Sequence, residues 1–209
     1  SDFDNDGDGE VDALGIIYAG GGPHDGCDVD DAPAGSGGDD LWPHATSLPG
    51  SGTSVDGVDV DPYIINSEVT FGVNPPTGCT QMQTIGLFAH ELGHSLGLPD
   101  LYDTDNSSQG VDTWSTMASQ YTSIVNLSDA PTHFDAWSKW YLGWITPDDL
   151  TGVDVSDHPI PAAATSPYAV QLLANPGGPD WDFSGNGSGE FFLVENRQQV
   201  AFDQGLPGC

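Results

Sequence analysis

The chain has 209 residues, 37% hydrophobic and 16% charged, with 32 acidic residues against two basic ones, Lys139 and Arg197. It is long enough for one domain with a real core, and too apolar for a charge-driven disordered chain despite a net charge of −30. Such a surface suits neither phosphate backbones nor anionic membranes, and no apolar run approaches the roughly 18 residues that span a bilayer.

The acids are 27 Asp and 5 Glu. Two causes predict an Asp-rich, Lys-poor surface. One is adaptation to high salt, where self-repulsion is screened. The other is a demand for Ca²⁺, which prefers oxygen ligands. Composition does not separate them.

The chain opens in an acidic stretch, "DFDNDGDGEVD", without a signal peptide or an initiating Met, and stops at "LPGC". The expectation is a piece of a longer precursor. Oxygens at alternate positions predict a Ca²⁺ loop of Asp4, Asp6, Asp8, the Glu10 carbonyl and Asp12, with Gly9 at the sharp turn. A register from Asp2 would place Gly7 there instead. The twelfth position is Gly15, not a bidentate acid, so the loop is EF-like only in its first part. The competing reading is a solvated acidic stretch, although carboxylates this close repel unless a cation neutralises them.

"VDALGIIYAG", Val11 to Gly20, reads as a buried strand. Residues 21–62 are rich in Gly, Asp, Pro and Ser and read as one long loop. Within it, Asp39, Asp40 and His44 offer a second cation site, but a loop anchored by Trp42 is preferred. Cys27, Cys79 and Cys209 allow a Cys27–Cys79 disulfide, with free thiols as the alternative. "SEVTFGV" reads as a strand, with an edge position open to it.

Residues 81–96 predict a helix, with Ile85, Phe88, Ala89, Leu92 and Leu96 at helical spacing on one side. Gly97 falls where a helix C-cap belongs, with Pro99 beyond. A second helix is expected from about Pro131 to Leu142, with Asp129 near its start, His133 in its first turn and Gly143 at its end. "YAVQLLA" and "EFFLVE" read as strands. Mixed elements without βαβ alternation predict an α+β class.

"FAHELGHSLGLPDLYD" carries the chemistry. His90 and His94 are four apart, which brings both imidazoles to one helix face. A catalytic Zn²⁺ keeps three protein ligands and one open position. Gly97 can break the helix and turn the chain so that Asp100 becomes the third ligand. Glu91 is the expected base for the water that zinc activates. H-E-x-x-H alone is a moderate signal; the helix, the Gly and the Asp at these offsets make it a strong one. Two solvated histidines on a polar helix face would be the bland alternative.

"HELGHSLGLPD" resembles the extended zinc motif of metzincin-type metalloproteases, in the form with Asp as third ligand. That resemblance implies a zincin-like mixed sheet, an active-site helix, a Gly turn and a methionine turn beneath the metal, for which "WSTMAS" supplies Met117. Taken alone, Met117 would more simply be core. Four stretches are similar to the immune inhibitor A family of secreted bacterial peptidases: "DNDGDGEVDALGIIYAG", "HELGHSLGLPDLYD", "HFDAWSKWYLGWITP" and "FFLVENRQQVAFDQGLPG". The likeness implies an exported zinc endopeptidase with calcium sites, acting on proteins or peptides. Residues 1–209 would then be a partial catalytic domain. Residues 1–80 would hold the calcium loop and strands, 81–103 the active-site helix and third-ligand turn, 104–150 the methionine turn and second helix, and 151–209 the last strands.

Tyr121 is a candidate oxyanion donor, with core or surface as its plainer reading. Glu195 either pairs with Arg197 or binds Ca²⁺. The rival function is a calcium-dependent binding or adhesion module with a non-catalytic zinc site. Glu91 discriminates, because a structural site has no use for a base beside the metal. A zinc hydrolase of non-peptide substrates is a third reading, against which the resemblance speaks.

Overall fold

In the computed structural model the described residues are 3–25, 27, 41–47, 53–72, 78–105, 107–108, 110–119, 122, 124, 126, 128–173 and 191–207. The strands are β1 (Leu14–Tyr18), β2 (His44–Thr46), β3 (Thr53–Val55), β4 (Val58–Val60), β5 (Tyr63–Ser67), β6 (Val69–Gly72), β7 (Gly78–Met82), β8 (Asp148–Asp149), β9 (Val170–Leu172) and β10 (Phe192–Val194). The helices are α1 (Ile85–Ser95) and α2 (Ala136–Tyr141). The class is mixed α+β, with small sheets and few helices.

β5 is the centre of the sheet that carries the site. It pairs with β1 in parallel and with β2 antiparallel, in the order β1-β5-β2. Its Ile64 and Ile65 are buried, and Asn66 and Ser67 are fully so. α1 packs against β5 and β2. The strand expected at Val11–Gly20 forms, but Ile16 and Ile17 are 40% and 62% exposed. Among the described residues β1 has one strand neighbour and is not one of the strands α1 leans on, so its apolar run is not interior.

Residues 21–62 are not one loop, since they contain β2, β3 and β4. In "SVDGVDV" the turn residues Asp56 and Gly57 have φ of 54° and 85°, which builds a two-residue turn matching the strand twist. β4 then anchors the acidic opening: Asp59 N–H donates to the Gly9 carbonyl at 2.8 Å and Val11 N–H to the Asp59 carbonyl at 2.9 Å. β6 and β7 form a second hairpin, and Cys27 is bonded to Cys79 of β7 with Cα atoms 5.3 Å apart. Asp39, Asp40, Tyr121 and Cys209 lie outside the described residues. Trp42 is 52% exposed and does not anchor its segment by burial.

α1 begins at Ile85, not Gln81, because Gln81 and Met82 belong to β7. Its buried residues are Gly86, Leu87, His90, Glu91 and Gly93, while Ile85, Leu92 and Leu96 are exposed. The interior face is therefore the one with the histidines and glycines, opposite to the apolar-stripe expectation. Gly93 explains the close approach: a Cβ there would meet Met117 Sδ at 2.3 Å. Gly in a helix costs about 1 kcal/mol relative to Ala, and here a side chain at position 93 would require the Met117 thioether to move.

α2 is shorter than expected. Asp135, not Asp129, caps it, accepting from Ser138 N–H at 3.0 Å, so His133 precedes the helix. Gly143 ends it at φ 71°, as its position suggested. α2, β8, β9 and β10 enclose a small core of Ala136, Ile145 and Ala169, flanked by Trp140 and Leu193. Both basic residues of the chain lie here. The Lys139 and Arg197 side chains are only 7% and 6% exposed and both pair with Glu195, so Glu195 is an ion-pair partner in this structure. Arg197 also pairs with Asp203, and neither Lys nor Arg is thus left to pair with the other acids of the chain.

Candidate metal centre

The centre is built on α1 and the turn that follows it. Leu96 is the C-cap. Gly97 adopts φ 88°, its N–H donates to the His94 carbonyl at 2.9 Å, and Leu98 N–H donates to the Gly93 carbonyl at 3.0 Å. This pair of bonds is a Schellman motif, with buried Leu98 as its apolar contact. The chain reverses there and returns Asp100 toward the helix, as the sequence implied.

Each histidine is oriented through Nδ1. His90 Nδ1 lies 2.8 Å from the Thr116 carbonyl, and His94 Nδ1 lies 2.8 Å from the Leu98 carbonyl. A carbonyl can only accept, so both Nδ1 atoms carry the proton. In the neutral rings both Nε2 atoms therefore present lone pairs, the arrangement usual for metal-binding histidines.

Asp100 Oδ1 lies 3.1 Å from His90 Nε2 and 3.2 Å from His94 Nε2. Neither approach is along a hydrogen-bonding direction, and this buried oxygen has no hydrogen-bond partner. Three donor atoms without a proton between them invite a cation. A tetrahedral ion with bonds of 2.0–2.1 Å would hold its ligands about 3.3–3.4 Å apart, close to the spacings seen. The three residues fit such an ion, and all three ligand atoms lie within 4.8 Å of one another. Burial works to raise the Asp100 pKa, but the two imidazoles, when their Nε2 atoms are protonated, and the Tyr102 hydroxyl, 2.8 Å from Oδ2, hold it well below the usual range. Burial likewise works to lower the His94 pKa, and its contacts with Asp100 and the Leu98 carbonyl outweigh that and raise it.

Glu91 is 5% exposed on the same helix face. Burial raises its pKa, with the charges of His90 and His94 pulling the other way. A carboxylate with an increased appetite for a proton beside a candidate cation site is suited to act as a base. Glu91, His90, His94 and Asp100 line one open cleft of about 540 Å³, whose opposite wall is Pro43, His44 and Ala45.

Sequence reasoning missed two residues here. Tyr102 reaches Asp100 through its hydroxyl and stacks near His90, with ring centroids 6.4 Å apart; its place two residues after Asp100 was the available signal. His44, one of three residues offered for a second cation site, stands on β2 in the cleft wall. Its Nδ1 donates to the Trp42 carbonyl at 2.7 Å, and Tyr63 Oη–H donates to its Nε2 at 3.3 Å. Met117 is fully buried, with Sδ against Gly93 of α1.

In the acidic opening the carboxylates of Asp4, Asp6 and Asp8 converge within 4.8 Å. The Asp12 carboxylate is outside this group, its Oδ2 accepting from Asn5 N–H at 3.0 Å, and Glu10 N–H donates to Asp8 Oδ1 at 2.8 Å. Gly7 and Gly9 both have positive φ, 80° and 92°, which leaves both turn registers compatible with the backbone.

An α+β chain with two helical histidines, a returning aspartate and a buried glutamate in one cleft has the features of a metallohydrolase. Residues 2–145 match the family described as immune inhibitor A peptidase M6, catalytic domain, and the chain belongs to that family. It is 33% identical over 144 residues to immune inhibitor A of Bacillus thuringiensis subsp. alesti, a match covering 66% of this chain and 19% of that protein. It is 39% identical over 74 residues to the pre-pro-metalloprotease PrtV of Vibrio cholerae serotype O1, covering 32% of this chain and 8% of that protein. The matched stretch thus spans less than a fifth of the length of these relatives.

Proposed function

We propose that the chain is part of the catalytic domain of an exported zinc endopeptidase. The observation that carries this reading is the convergence of His90 Nε2, His94 Nε2 and the unpartnered Asp100 Oδ1 beside buried Glu91. His90, His94 and Asp100 would hold the ion, and Met117 would be the methionine beneath it. Zinc, when bound there, supplies a Lewis acid that acidifies water and polarises a carbonyl. Glu91 takes a proton from the attacking water and passes it to the leaving amine, so that the C–N bond breaks and one water is consumed. The substrate lies extended along β2, the outer strand of its sheet that lines the cleft, by backbone hydrogen bonds. Glu91 is what disfavours a purely structural or adhesive zinc site.

Casein digestion by the full-length protein tests the reading, with and without a zinc chelator and at low and high salt. Digestion should stop with the chelator and return with added zinc. Digestion that persists without metal would sink the proposal.

Ca²⁺ at Asp4, Asp6 and Asp8 is the second part of the reading. An ion there would neutralise the cluster and fix the opening against β4, through the Gly9 and Val11 backbone bonds to Asp59. Removing Ca²⁺ should lower the melting temperature while zinc occupancy changes little. An unchanged melting temperature would count against this loop as a calcium site.

A further inference from the structure

We propose that Arg197, with Glu195, Lys139 and Asp203, forms a positioning cluster for the metal centre, acting through the Trp114–Met117 turn. The inference rests on the reading of His90 and Asp100 as metal ligands. Glu195, Arg197 and Asp203 all lie beyond residue 145, where the family match ends.

The Arg197 guanidinium has five N–H donors, and all are used. Nε and Nη2 grip the two oxygens of Asp203 at 2.8 and 2.7 Å. Nη1 donates to Glu195 Oε1 at 2.9 Å and to the Trp114 carbonyl at 2.8 Å. Nη2 also donates to the His133 carbonyl at 3.2 Å. Lys139 Nζ takes the other Glu195 oxygen at 2.8 Å. Two cations and two anions balance in a site where Asp203 is fully buried.

The turn held this way touches the centre at three points. The Thr116 carbonyl receives His90 Nδ1–H at 2.8 Å and so sets the direction of its Nε2. The Met117 carbonyl receives Leu101 N–H at 2.9 Å, next to Asp100. Met117 Sδ packs on Gly93, one residue before His94. The turn has a second tether in Ser115 Oγ–H, which donates to Asp135 Oδ2 at 2.7 Å, and Asp135 also caps α2. Displacing the Trp114 carbonyl therefore shifts the group that aims His90 two residues on. Lysine cannot replace arginine here, since it lacks the planar fork.

The test uses the full-length protein and Arg197→Lys, which keeps the charge and removes the fork. Zinc affinity is measured by chelator competition, the ligand field by the visible spectrum of the Co²⁺-loaded protein, and folding by the metal-free melting temperature. The control is Val170→Ala, a buried β9 position that makes none of these bonds. We expect Arg197→Lys to weaken zinc about tenfold, the lower end of the range for partners that orient ligands, and to alter the Co²⁺ spectrum. Val170→Ala should lower the melting temperature and leave both unchanged. Parental affinity and spectrum in folded Arg197→Lys would overturn the inference, as would equal weakening in the control. If Arg197→Lys does not fold, Glu195→Gln, which loosens the same cluster, is read against the same expectations. His90→Ala separates the two levels. Zinc retained in that variant would sink the metal reading itself, while zinc lost there but unchanged in Arg197→Lys would sink only the positioning role.

Discussion

Glu91→Gln is expected to keep its zinc, keep its fold and lose about 10²- to 10⁴-fold in kcat, the usual contribution of a positioned base. That range corresponds to about 2.7–5.5 kcal/mol of activation free energy. The split between activity and folding follows from burial. Glu91 is 5% exposed, and removal from water is the largest influence raising its pKa. The charged form is thus disfavoured in the folded protein, and a neutral amide of the same size removes that penalty. Gln cannot accept the proton, so only the chemical step should suffer. The check is casein turnover together with metal content and melting temperature on the same preparation. Full activity in a zinc-loaded variant would remove Glu91 from its proposed role.

The parts of the site that were legible in the sequence are those fixed by local geometry. Four-residue spacing puts His90 and His94 on one face of α1, and a glycine at position 97 is what a left-handed C-cap requires. The place of Asp100 beside them rested on the Gly97 turn and on the family resemblance, not on helical spacing. The buried face of α1 was not legible, although its period was. Ile85, Leu92 and Leu96 repeat as a core stripe would, yet Gly86, Gly93, His90 and Glu91 face inward. The glycines allow the approach of Met117, a residue distant in sequence, and periodicity carries no information about such a partner. The β3–β4 hairpin was legible but passed over: Asp-Gly between two valines is a short-range turn signal, hidden by the loop-like composition around it.

The ion cluster belongs to neither group. Two basic residues among 32 acids could have paired almost anywhere on this chain. Their joint burial around Glu195 depends on contacts such as Arg197 to the Trp114 carbonyl, 83 positions apart. A balanced buried cluster is costly to break, because removing one partner strands a charge, at about 3–5 kcal/mol. The chain thus keeps its two cations where an unpaired acid would do most harm.

Asp100 carries the second large expectation. Asp100→Ala should weaken zinc by more than about 100-fold, beyond the 10- to 100-fold typical of groups that only orient ligands. The reason is in the geometry. Oδ1 is buried, has no hydrogen-bond partner, and faces two lone-pair nitrogens at 3.1 and 3.2 Å. Without it, two imidazoles remain on an open cleft, too few protein ligands for a catalytic site. Asp100→Asn refines the experiment. It preserves the shape and, with its one oxygen at the Oδ1 position, sets its amide NH₂ against the Tyr102 hydroxyl, which can accept from it, but it lacks the negative charge that favours a divalent ion. If charge is decisive, Asn should fall near Ala; if placement of an oxygen suffices, it should fall near the parent. Metal content is read after dialysis against a chelator of known affinity. Stoichiometric zinc in Asp100→Ala would mean that the third ligand lies elsewhere. The return of the chain at Gly97 would then serve only to close the helix.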